Sequence, residues 1–139
     1  MSKSYGTLDA SYRAAGELAG ISKLVDAFYD YMQELPEARG IRAMHPEDLT
    51  ESRTKLTYFL SGWLGGPRLY KEHYGSIAIP RAHSHLAIGA AERDAWMLCM
   101  EHALDEQDYD KDFKRYMLEQ LYVPAERCRQ ACAVSRRDN

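Results

Sequence analysis

The sequence lacks any long apolar run. Its first ten residues contain no apolar stretch of the kind that forms the core of a secretory signal peptide. No later segment approaches the roughly 20 consecutive apolar residues that a membrane-spanning helix needs. We therefore expect neither a secretory leader nor a membrane anchor.

An excess of positive charge is also missing. The 139 residues include 18 Lys and Arg against 21 Asp and Glu, which gives a formal net charge of −3. Proteins that bind nucleic acid or an anionic membrane usually carry a clear basic patch. The charge balance therefore argues against both kinds of partner.

Cysteine is scarce, and its number is odd. The three cysteines, Cys99, Cys128 and Cys132, show no spacing typical of a disulfide framework, so we expect a reducing, cytoplasmic setting. Cys128 and Cys132 are four positions apart and would share one face of a helix. They either pack as small apolar side chains or form a redox or metal pair.

β-Branched residues are few and rarely alternate with polar ones, whereas Ala, Leu, Met, Glu and Arg abound. This composition favours helices over strands. The chain also contains no internal repeat, no low-complexity tract and no linker long enough to divide it. We predict a single all-α domain over residues 1–139, with a frayed tail at about 134–139.

Apolar periodicity predicts about five substantial helices. The clearest is predicted to begin at Ser22, a good N-cap, and to bury a stripe that includes Leu24, Phe28 and Met32. Pro36 should end or redirect this helix. A short helical turn is then predicted over 36–43, with a corner at His45.

Three further helices follow the corner in this prediction. Gly65, Gly66 and Pro67 should stop the helix at about 50–64. Residues 67–88 are irregular, and a strong helix is predicted at about 90–104. After an acidic loop at 105–108, the last helix should start near Asp110 and kink or restart at Pro124.

The common catalytic and nucleotide-binding motifs are absent, and the histidines are the unusual feature. His83 and His85 lie in a short segment that follows Pro80, with Arg81 just before them. His45 lies in the corner between two predicted helices. Without further context, a histidine in such a loop more often has no ligand role.

The chain nevertheless supplies each part of a helical haem pocket, in which one histidine is the axial ligand. Such a pocket needs an apolar slot, basic groups at its mouth and a polar donor on the open side of the metal. Arg81 and Lys55 could reach an edge of the cofactor. The apolar slot could come from three helices, through Leu56, Phe59 and Leu60, through Phe28 and Tyr29, and through Trp96.

Three motifs, in order over residues 20–104, resemble those of the group II truncated haemoglobins. They are the pair Phe28-Tyr29, the stop Gly65-Gly66-Pro67, and the string Glu92-Arg93-Asp94-Ala95-Trp96 followed by Cys99-Met100. The string and the stop together are highly specific. The last helix matches only loosely.

This resemblance implies a truncated globin in which helices stack two over two around haem b. The proximal iron ligand would be His83, with His85 as the alternative because Ala82, rather than the usual arginine, precedes His83. Tyr29 would be the distal tyrosine, and Trp96 would donate its N–H to the bound ligand. The rest of the implied lining comprises Ser52 and Leu56 on the distal side, His45 at the corner, and Ile88.

A distal cluster of Tyr29, Trp96 and His45 would hydrogen-bond small ligands such as O2, NO, CO or peroxide. Three donors predict slow release, which suits redox chemistry such as NO dioxygenation or peroxide handling, supported by an electron-donating reductase. His45 could donate to the ligand, coordinate iron itself or turn to solvent. Two alternatives stay open, namely reversible oxygen storage, transport or sensing, and a haem-free helical protein in which His83 and His85 bind zinc or nothing.

Overall fold

The computed structural model describes residues 5–75 and 88–137, and describes side chains as far as Cys132. Within these ranges the chain forms helices and contains no β-strand, so the all-α prediction is confirmed. The helices are α1 (Ala10–Ala14), α2 (Glu17–Glu34), a 3-10 turn (Pro36–Ala38), α3 (Arg39–Ala43), α4 (Thr50–Trp63), α5 (Leu69–Tyr74), α6 (Ala90–Glu106) and α7 (Lys111–Arg137).

Helix α2 is the central element, and its apolar stripe is the one predicted. Leu24, Phe28 and Met32 are buried at helical spacing and face the neighbouring helices. The predicted start at Ser22 is wrong, because the helix begins at Glu17. Gly16 precedes it with φ 89°, a left-handed conformation that glycine adopts freely and that turns the chain directly from α1 into α2.

The end of α4 is fixed by the glycine pair that the sequence indicated. Gly65 has φ 93°, its N–H donates to the Gly62 carbonyl at 3.1 Å, and the Gly66 N–H donates to the Ser61 carbonyl at 2.9 Å. This pair of bonds is a Schellman motif, which satisfies carbonyls that the helix end would otherwise leave unpaired.

The helices pack as two pairs around one core. Helix α2 packs against α4, α6 packs against α7, and α2 also packs against α6, so the two pairs meet across α2 and α6. Buried side chains of all four helices form one apolar cluster. The four long helices therefore stack two over two.

An ionic cluster joins the beginning of α6 to α7. The Arg93 Nη1 atom lies 2.9 Å from the Glu126 carboxylate, and Arg129 contacts the same carboxylate. These two cations lower the pKa of Glu126 to about 2. Helix α7 contains Pro124 and runs on to Arg137, so the chain does not restart at Pro124, one of the two outcomes that the sequence predicted. The frayed tail at about 134–139 stays a prediction.

The three cysteines are all buried. Burial raises the pKa of Cys99 and of Cys128 to about 11, so both are thiols near neutral pH. No group of three or more metal-ligating side chains occurs in the ranges given above. The same part of the chain contains no helix long and apolar enough to cross a membrane.

Candidate functional site

Phe28 brings two of the predicted ligand-binding residues together. Its ring centroid lies 5.0 Å from that of Tyr29, in an edge-on contact, and 5.0 Å from that of Trp96 on α6. Phe28 itself is completely buried. Tyr29 and Trp96 therefore both contact one buried apolar side chain, as parts of the same cluster.

The Tyr29 hydroxyl is buried and keeps its proton. Burial raises the pKa of Tyr29 to about 12, although the nearby Arg53 cation partly opposes this shift. The hydroxyl donates to the Ser52 carbonyl at 3.4 Å, which is long for such a bond. Near neutral pH Tyr29 is therefore a hydrogen-bond donor and not a phenolate.

His45 lies next to Tyr29 at the corner between α3 and α4. The two ring centroids are 5.8 Å apart, and the His45 Nδ1 atom lies 2.7 Å from the Ile41 carbonyl oxygen. Arg42 donates to the carbonyls of Pro46 and Glu47 at 3.0 Å and 2.9 Å and so fixes the corner. A surface cleft opens beside the histidine, so this side of the cluster faces solvent.

Trp96 is half-buried on α6. Its indole N–H donates to no protein acceptor in the part of the chain that the structure describes. An indole N–H that is partly withdrawn from water and has no acceptor among these residues can donate to a ligand. The structure thus brings Tyr29, His45 and Trp96 into one cluster, and their contact with a bound ligand stays a prediction.

Apolar surface is left open on the two helices that flank this cluster. Helices α4 and α6 both pack on α2 but barely touch each other. Leu56 and Phe59 on α4 and Met97 on α6 are only half-buried, and so is Ile88 just before α6. A flat apolar cofactor covers surface of this kind, so these residues fit a haem.

Three other described residues predicted to contact haem do not belong to this half-buried apolar surface. Phe28 and Leu60 are completely buried in the core, so their direct contact with haem stays a prediction. Lys55 pairs with Glu51 at 3.2 Å and lies over the Tyr74 ring, with 44% of its side chain exposed. Arg81, His83 and His85 lie outside the described residues.

Arg53 is the site residue that the sequence analysis missed. On α4 it lies next to Ser52, and its guanidinium is 5.7 Å from the Tyr29 ring centroid. It also pairs with Asp26 and Asp30 on α2. The available signal was the pair of acids that flank Tyr29 in the sequence, since two carboxylates one turn apart favour a shared cation.

Comparisons with known proteins agree with this fold and site. The family model for bacterial-like globins matches residues 10–126. The Group 2 truncated hemoglobin YjbI of Bacillus subtilis is 33% identical over 119 residues, which cover 86% of this chain and 87% of that protein.

Two solved structures are similar to the model. The group II 2-on-2 hemoglobin of Agrobacterium tumefaciens has a TM-score of 0.82 and 37% identity, covering 90% of this chain and 96% of its own. The truncated oxygen-avid haemoglobin of Bacillus subtilis has a TM-score of 0.77 and 31% identity, and the match covers 85% of this chain and 97% of that protein's chain.

The helical fold and the open apolar walls thus define a haem-binding globin. The chain belongs to the bacterial-like globin family, among the group II truncated haemoglobins. Haem with its iron is the cofactor of this family, and binding of a small ligand at the haem is its common function. The haem-free alternative is therefore wrong.

Proposed function

We propose that this protein binds haem b through His83 and uses Tyr29, Trp96 and His45 to hydrogen-bond a small ligand there. When bound, haem supplies an iron centre that takes up diatomic or peroxidic ligands and exchanges single electrons. Leu56, Phe59 and Ile88 would cover its apolar faces. Arg81 and Lys55 would reach its carboxylates.

The observation that carries the proposal is the cluster of polar side chains around Phe28. Tyr29 keeps its proton near neutral pH, its bond to the Ser52 carbonyl is long, and the Trp96 N–H has no acceptor among the described residues. If the Tyr29 hydroxyl turns from the Ser52 carbonyl to a ligand, only a weak hydrogen bond is lost. His45 adds a third polar group on the solvent side of the cluster.

Several donors aimed at one ligand slow its release, because a ligand that gains partial negative charge accepts each hydrogen bond more strongly. The similar protein from Bacillus subtilis is described as oxygen-avid, which supports slow release here. Slow release suits chemistry on the ligand better than delivery of oxygen.

We therefore propose a redox function, with NO dioxygenation as the leading reaction and peroxide handling as its variant. Nitric oxide, dioxygen and one electron together give nitrate, so each turnover needs one electron from a reductase. A cytoplasmic location would place the protein near such a donor, and three cysteines without the spacing of a disulfide framework fit a reducing compartment.

The test of the haem ligand is an absorption spectrum of the purified, haem-loaded protein, ferric and then dithionite-reduced. We expect a Soret band in the wild type, and its loss or a marked shift in His83→Ala. His85→Ala is the matched control and should keep the wild-type spectrum. A normal His83→Ala spectrum together with a disturbed His85→Ala spectrum would transfer the ligand role to His85.

The test of the reaction is rapid mixing of the oxygenated protein with nitric oxide. A redox protein should release oxygen slowly and consume nitric oxide quickly, with nitrate as the product. Fast oxygen release with little nitrate would instead support oxygen storage, transport or sensing.

A further inference from the structure

We propose that Arg53 is a positioning residue for Tyr29, which fixes the direction of the phenol ring and strengthens the hydroxyl as a donor toward the ligand. This inference rests on the proposed role of Tyr29 in ligand binding. Arg53 itself contacts neither the ligand nor the cofactor in the proposal, because it acts only through Tyr29.

Arg53 ties α4 to the turn of α2 that carries Tyr29. Its Nη1 atom donates to the Asp26 backbone carbonyl and to the Asp26 carboxylate, both at 3.1 Å. Its Nη2 atom donates to the Asp30 carboxylate at 3.0 Å. Since Asp26 and Asp30 are four positions apart on α2, a single guanidinium spans the turn on which Tyr29 lies.

The neighbouring residue Ser52 holds the other end of the tyrosine. The Ser52 carbonyl accepts the Tyr29 hydroxyl, while the Arg53 guanidinium faces the ring at 5.7 Å from its centroid. Two consecutive residues of α4 therefore contact the polar and the aromatic parts of one side chain. A shift of Arg53 would change both the tilt of the ring and the direction of the hydroxyl.

The charge of Arg53 also acts on the hydroxyl. The cation stabilises electron density on the phenol oxygen and lowers the pKa of Tyr29, against the larger rise that burial causes. A more acidic phenol is a stronger hydrogen-bond donor, and a ring whose tilt is already fixed leaves only the hydroxyl to turn from Ser52 toward the ligand.

A purely structural role explains this arrangement less well. Both carboxylate partners are more than half exposed, at 58% for Asp26 and 62% for Asp30. Ion pairs with such exposed partners contribute little to stability. Leu60, Phe28 and their buried neighbours already pack α4 and α2 into one apolar cluster without Arg53.

The test compares Arg53→Met and Arg53→Lys with the wild type as haem-loaded proteins. Methionine keeps the length of the stem and removes the charge, whereas lysine keeps the charge and loses the forked contact with both acids. The readouts are the oxygen dissociation rate and the infrared C–O stretching band with carbon monoxide as the probe. The second readout reports the polarity around the ligand and is not an activity.

We expect Arg53→Met to release oxygen about two- to fivefold faster, the size of effect that an exposed cation–π contact has. Its C–O band should move to higher wavenumber, since a weaker donor polarises the ligand less. For Arg53→Lys, both the oxygen release rate and the C–O band should lie between those of the wild type and of Arg53→Met. Arg13→Met is the control. Arg13 lies on α1, is exposed and pairs with Asp9 just before that helix, so this variant should leave both readouts unchanged.

An unchanged release rate and an unchanged band in Arg53→Met, with both altered in Tyr29→Phe, would overturn the inference and leave the donor role of Tyr29 intact. If Tyr29→Phe changes neither readout, the proposed donor role of Tyr29 itself fails. Should Arg53→Met not fold, Asp30→Asn replaces it, because it frees one side of the guanidinium and should move both readouts in the same direction. Unchanged readouts in Asp30→Asn would then count against the inference.

Discussion

The Tyr109 hydroxyl donates a 2.7 Å hydrogen bond to the Ala15 carbonyl, across 94 positions of sequence. This contact joins the segment before α7 to the turn between α1 and α2. Burial raises the pKa of Tyr109 to about 12, so the phenol stays neutral near physiological pH. The bond therefore fastens the turn from which the central helix starts.

Replacing Tyr109 by phenylalanine should lower the free energy of unfolding by about 1 kcal/mol, because it leaves the Ala15 carbonyl without its side-chain partner. Urea unfolding of the purified protein measures this. Tyr58→Phe is the matched control, since the Tyr58 hydroxyl has no hydrogen-bond partner in residues 5–75 and 88–132 and its ring stacks on His73. Equal midpoints for the two variants would contradict the role given to Tyr109.

Trp96→Phe should speed oxygen release about tenfold, if the indole N–H contributes about 1.5 kcal/mol to holding the ligand. Phenylalanine keeps an aromatic ring against Phe28 and removes only the donor and some volume. Stopped-flow displacement of oxygen measures the rate. Trp63→Phe, at the other tryptophan, should leave the rate near that of the wild type, and an unchanged rate in Trp96→Phe would remove this donor from the mechanism.

The ionic cluster between α6 and α7 should make stability depend on acid pH. The pKa of Glu126 is about 2 in the folded protein, below its ordinary value of 4.5, because of Arg129 and Arg93. A lowered pKa means that the stabilisation is present in full above about pH 4.5 and is lost as the pH falls toward 2.

Melting temperatures between pH 7 and pH 2 test this dependence. Glu126→Gln should melt at a lower temperature than the wild type at pH 7, and the difference should shrink as the pH falls. Glu119→Gln, which alters an exposed acid on the same helix, should follow the wild type over the whole range. A constant gap between Glu126→Gln and the wild type would show that the charge of Glu126 is not the cause.

Two glycines should respond to alanine in opposite directions. At Gly65 the backbone has φ 93°, and a Cβ atom would come within 1.9 Å of the Leu8 carbonyl oxygen, so Gly65→Ala should destabilise the fold by about 1–3 kcal/mol or more. At Gly40, inside α3, a Cβ atom would meet nothing within 4 Å. Gly40→Ala should therefore stabilise the fold by about 0.5–1 kcal/mol. Thermal melts should show a lower melting temperature for Gly65→Ala and a higher one for Gly40→Ala than for the wild type, and shifts in the same direction would contradict this prediction.

Patterns within short stretches of sequence predicted helix faces and helix ends, because neighbouring residues determine these features. The stripe of Leu24, Phe28 and Met32 predicted the buried face of α2, and Gly65 predicted the end of α4. The start of α2 was misplaced because Ser22 is a good N-cap in isolation. Gly16 already turns the chain into the helix, so the helix needs no cap at Ser22.

Long-range contacts explain most of what the sequence could not show. The pairing of Arg53 with Asp26 joins positions 27 apart, and the spacing of Asp26 and Asp30 does not indicate which cation they share. Pro124 predicted a kink or a restart in the last helix, yet α7 does not restart there, and contacts such as that between Glu126 and Arg93 accompany the continuation. Tertiary packing outweighs local preference at such positions.

The position of Phe28 has a consequence for anyone who redesigns ligand affinity in this protein. Because Tyr29 and Trp96 both rest against this one ring, their contributions are thermodynamically coupled, and substitutions at the two positions should not add. A double-mutant cycle would report the coupling directly. Selection on ligand affinity would therefore act on the three aromatic side chains as a unit and not on each one separately.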